Sequence, residues 1–71
     1  MNAADWLAAY ADKLGVPAPT SDEQEAVLAL AGHAAHASER IAAPVACWLA
    51  ARAGVGLAQA RHLAGEVGAD A

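Results

Sequence analysis

Apolar residues recur along this chain at helical intervals, and polar residues mark where each helix should start and stop. In the first segment Trp6, Leu7, Tyr10 and Leu14 share a face by the i, i+4, i+8 rule. Asn2 stands where an N-cap is needed, and Asp5 follows three residues later. Gly15 closes the pattern, with Val16 beyond it as the apolar residue a glycine C-cap often carries. These signals predict a helix over Ala3–Leu14. The next stretch, "GVPAPT", reads as a stiff connection, because Pro17 and Pro19 exclude helix at the residues before them.

A second helix should start at Thr20 or Ser21. Both "TSDE" and "SDEQ" are capping-box patterns, and Asp22, Glu23 and Glu25 suit the positive end of the helix dipole. Val27, Leu30, Ala31 and Ala34 make its stripe, which Leu28 and Ala35 widen. It should end at Ala37 or Ser38, leaving "SERIAA" as the connection. Pro44 then suits the first turn of a third helix, where its missing N–H costs little. That helix carries Val45, Trp48, Leu49 and Ala53 on its inward side, and Gly54 closes it. A fourth runs from Leu57 to Val67, with Leu57, Ala60, Leu63, Ala64 and Val67 inward. Gly68 should end it, and residues 67–71 should fray. The predicted core is Trp6, Tyr10, Leu14, Val27, Leu30, Val45, Trp48, Leu49, Leu57, Leu63 and Val67.

Composition agrees with this reading. The chain has 71 residues, enough for one domain over 1–71, and 58% are hydrophobic, too apolar for disorder. About a third is Ala, the best helix former, and no dense β-branched run is left to build strands. The expected fold is all-α: a compact bundle of four short helices with thin, closely packed faces. The N-terminal "MNAADWLAAY" lacks the basic flank of a signal peptide. No apolar run nears the roughly 20 residues a membrane span needs, and the lone Cys47 suits a reducing compartment. A soluble cytoplasmic protein is expected.

The stretch from Trp48 to Val67, "WLAARAGVGLAQARHLAGEV", resembles a helix-turn-helix: a small-residue helix, a glycine turn and a second helix. Gln59, Arg61 and His62 are the candidates for reading bases on that second helix. Charge argues against it. The net charge is −4, and Lys13, Arg40, Arg52 and Arg61 are the only Lys or Arg residues. Nucleic acid is therefore an unfavoured partner, since phosphate attraction supplies most of the affinity. A DNA-binding module stays open as an alternative.

A second alternative is a small metal-binding or redox domain. His33 and His36 lie one turn apart, Cys47 is a further soft ligand, and a site needs three or four. No phosphate loop or catalytic triad is present in the sequence pattern, and the carboxylates cluster at helix starts, where capping explains them. A non-enzymatic role is expected. A polar cluster stands at the corner between the second and third helices: His36, Glu39 and Arg40, with Pro44 beside them; Arg40 also suits the negative end of the second helix's dipole and can anchor that corner. These four are the candidates for a partner-binding surface. Small residues at Ala46, Ala50 and Ala53 also permit close approach of another helix, so a homodimer is a further possibility.

The block "AHASERIAAP" and its flanks, from Val27 to Gly54, resemble a small actinobacterial helical domain family of unknown function. Trp6 and Leu14-Gly15 match its N-terminal "W" and "LG"; Ala35, His36, Arg40, Ala42, Ala43 and Pro44 match its central motif. In that family the domain occurs alone or fused to molybdenum-cofactor guanylyltransferase. The resemblance implies a non-catalytic accessory role near molybdenum-cofactor (molybdopterin guanine dinucleotide) biosynthesis, with that enzyme as partner. One position departs: Ile41 stands where family members often carry Pro after the Arg.

Overall fold

The computed structural model describes residues 1–67. They form four helices in chain order: α1 (Ala3–Leu14), α2 (Ser21–Ala37), α3 (Ala42–Ala53) and α4 (Leu57–Glu66). This is the all-α bundle expected, with every predicted helix present. The predicted end of the last helix moves by one residue: Val67 is extended and caps α4. The expectations for Gly68 and for most of the 67–71 tail lie outside the described residues.

The helix ends follow from local chemistry. Asp5 donates its backbone N–H to Asn2 Oδ1 at 2.8 Å. At α2 the capping box resolves onto Thr20: the Glu23 N–H donates to Thr20 Oγ1 at 3.1 Å, and the Thr20 N–H donates to Glu23 Oε1 at 2.8 Å. Gly15 adopts φ 77°, and Val16 then donates back to the Ala11 carbonyl at 3.0 Å, closing a Schellman turn. Gly54, at φ 72°, turns the chain from α3 toward α4 over only three residues. Pro44 sits in the first turn of α3, as expected.

α2 is the hub, because α3 and α4 both pack on it. The α3–turn–α4 pair is thus held chiefly through α2 rather than through a broad contact of its own. α1 makes no comparable helix–helix contact. It leans on the bundle through Leu7 and the buried Ala11, beside a shallow hollow shared with Val27 and Leu57.

The core differs most from expectation. The buried residues among those described are Ala11, Leu30 and Ala60. Leu30 was predicted and stands; Val27 and Leu57 are half-buried. Trp6, Tyr10, Leu14, Val45, Trp48, Leu49, Leu63 and Val67 were expected inside and are exposed. Leu28, expected to widen the α2 stripe, is also outside. The physical reason is the thinness of the Ala faces. Helices meet at 8–10 Å depending on the side chains between them. The α2 surface offers Ala31, Ala34 and Ala35, and the small side of α3 fits it best.

Candidate functional site

Two sides of α3 divide by size. Ala42, Ala43, Ala46, Cys47 and Ala50 are half-buried on the side toward α2, and Val45, Trp48, Leu49 and Arg52 are exposed. With Ile41, which precedes the helix, the outward residues fall at i, i+4, i+7, i+8 and i+11, one continuous stripe. Trp48 is 59% exposed and Ile41 73%. The Arg52 guanidinium carbon lies 5.1 Å from the Trp48 ring centroid, a cation–π contact at the edge of the stripe. Ala46 and Ala50, expected to admit a second helix from outside, are instead taken up by the bundle itself; Ala53 is exposed.

The corner singled out from the sequence adjoins this stripe. His36, Glu39, Arg40 and Pro44 are all exposed. The turn is built from backbone: the Ala42 N–H donates to the Glu39 carbonyl at 3.0 Å and the Ala43 N–H to the Arg40 carbonyl at 3.1 Å. Ser38 Oγ donates to the Ala34 carbonyl at 2.9 Å and ties off α2. Among the described residues, the side chains of Glu39 and Arg40 make no hydrogen bond or ion pair, so both are free to meet a partner. Glu39 lines a shallow hollow with Ser38, Ile41, Ala42 and Val45, of about 350 Å³. The corner and the apolar stripe therefore share a surface.

His36 is exposed. His33 is exposed as well, and donates from Nε2 to the Ala64 carbonyl at 3.1 Å, which links α2 to α4. It borders an open cleft of about 420 Å³ with Leu30, Arg61 and His62. Gln59, Arg61 and His62, the base-reading candidates, are exposed on α4. His62 Nε2 lies 3.1 Å from Glu66 Oε1, so one of the three already faces an acidic neighbour.

His33, His36 and Cys47 do not converge. Cys47 points between the helices, its sulfur 3.9 Å from the Val27 carbonyl, while His33 turns to α4 and His36 to solvent. Among the described residues no three His, Cys, Asp or Glu side chains gather as metal ligands. No helix there is long and apolar enough to cross a membrane.

Sequence reasoning missed the outward stripe and the Arg52–Trp48 contact. The signal was available: Ala42, Ala43, Ala46, Cys47 and Ala50 recur at i, i+1, i+4, i+5 and i+8, a second helical stripe made of small residues. No curated protein and no solved structure matches the chain. A family model does: it is described as "Domain of unknown function (DUF6457)", it matches residues 1–71, and the chain belongs to that family.

Proposed function

We propose that this chain is a non-catalytic accessory domain that acts by binding another protein. What carries the reading is surface area. The accessible surface is 5573 Å² for a mass of 7.1 kDa. A compact monomer of that mass exposes about 4,100 Å². Subtracting residues 68–71 at the area of an extended chain, roughly 450 Å², still leaves an excess near 1,000 Å². Stable protein–protein interfaces take about 800 Å² from each partner. Much of the exposed apolar material is of the kind that anchors interfaces: the Trp6 and Tyr10 rings pack at a tilt on α1, centroids 5.1 Å apart, and Trp48 stands out on α3. The side chains of Asn2, Thr20 and Glu23 are spent on helix ends.

The partner we propose is molybdenum-cofactor guanylyltransferase, in the cytoplasm. The support is the resemblance of the Ala35–Pro44 block to a domain found alone or fused to that enzyme. His36, Glu39, Arg40 and Pro44 form the contact, and their exposure leaves them free for it. The test is capture of the guanylyltransferase of the same host by the tagged 71-residue chain, compared with Arg40→Ala. Capture that falls several-fold in a variant of unchanged helicity supports the reading. No capture, or capture indifferent to the corner, overturns it.

A further inference from the structure

We infer that the outward stripe of α3 is the contact face of a homodimer, packed antiparallel against the same stripe of a second copy. Ile41, Val45, Trp48 and Leu49 are each more than half exposed, so this stripe holds part of the excess area already described. A two-fold interface must be self-complementary: residue i meets j, and j meets i. The stripe satisfies this by shape. A crossing centred on Val45 sets Leu49 opposite the second copy's Ile41 and Trp48 opposite its Ala42. The second copy's hollow, about 350 Å³ and lined by Ser38, Glu39, Ile41, Ala42 and Val45, then lies where Trp48 arrives. The knob and the hole belong to the same chain, and the two-fold uses each twice.

Charge fits the same register. No Asp or Glu occurs between Ile41 and Ala53, so the facing helices do not repel, although each chain carries a net −4. Arg52 closes one end of the stripe and Glu39 the other. Arg52 lies roughly 10 Å along the α3 axis from Val45, and antiparallel packing carries it toward the second copy's α2–α3 turn, which holds Ser38 and Glu39. A parallel pairing would instead set Arg52 against Arg52. The opposed helix dipoles also favour the antiparallel choice.

The homodimer draws on the same exposed area as the reading above and shares Glu39 with it, but its experiment uses the chain alone, so the two fail separately. Sedimentation velocity of the 71-residue protein from about 1 μM to about 1 mM reads the dissociation constant. The expected result is a monomer–dimer equilibrium in that range. Trp48→Ser should abolish the dimer while far-ultraviolet circular dichroism stays helical. Glu39→Arg and Arg52→Glu, both at exposed positions, should each weaken it roughly tenfold, since the two-fold loses two pairs at once. The double reversal should restore it. A wild-type chain monomeric throughout, a dimer indifferent to Trp48→Ser, or charge reversals without mutual rescue would each overturn the inference. Monomeric protein that still captures the guanylyltransferase would sink the homodimer and leave the accessory role standing.

Discussion

Replacing Leu30 by Ala tests the claim that α2 is the hub. Leu30 is 4% exposed and borders two spaces: the cleft toward α4, with Ala58 and Ala64, and a narrower one of about 140 Å³ toward α3, with Cys47 and Ala50. Its side chain is the partition between them. Truncation removes three carbons, worth about 2.5 kcal/mol of transfer free energy at ~0.8 kcal/mol each. A cavity term adds to this, and Leu→Ala changes in cores run at about 2–5 kcal/mol. Here the merged space opens onto the α2–α4 cleft, water can fill part of it, and the expected loss is about 3 kcal/mol. A domain of 71 residues holds only about 4–11 kcal/mol in total. The melting temperature should therefore fall by more than ~10 °C. Leu28, two residues away and 68% exposed, is the control: its truncation should change stability by less than ~0.5 kcal/mol. Urea unfolding of both variants, at one fixed protein concentration, reads the difference. Equal losses in the two, or a Leu30→Ala loss under about 1 kcal/mol, would refute the hub.

Two further outcomes follow from the packing and the caps. Thr20→Ala removes the Glu23 N–H acceptor and half of the capping box, and should cost about 1 kcal/mol in urea unfolding, with the slope unchanged. Ala60→Leu adds apolar area at a buried position where α4 meets α2, and should destabilise by about 1–3 kcal/mol, whereas Ala58→Leu on the exposed side should be near neutral.

How much was legible in the sequence depends on the range of the interaction. Helix ends were legible, because a cap is decided within four residues. Asn2 and Asp5, Thr20 and Glu23, and Gly15 and Val16 each carry their own chemistry. Glu39 and Arg40 were legible as polar residues at a corner, and both are exposed. Which face of α3 turns inward was not legible from size and hydropathy. Both faces are apolar, so periodicity yields two stripes, and the usual rule that large residues go inside picks the wrong one. The missing information was in α2, whose Ala31, Ala34 and Ala35 present a thin surface.

That choice has a consequence for what the domain is. Burying a large apolar side chain is worth about 1.5–3 kcal/mol, so Val45, Trp48 and Leu49 together forgo several kcal/mol by facing out. Turning α3 over would put Trp48 between the helices and push the axes apart, toward the wide end of the 8–10 Å range. The four residues between α2 and α3 and the three between α3 and α4 leave little slack for that shift. The close Ala packing is therefore set by the short connections, and the large residues are displaced to the outward side of α3, the side that the proposed homodimer covers. A marginal 71-residue domain gains stability from that covering as well as a partner, because whatever binds the folded state shifts the folding equilibrium toward it. In the proposed homodimer, folding and association are coupled through the same three side chains, and the apparent stability of the isolated chain should then rise with its own concentration.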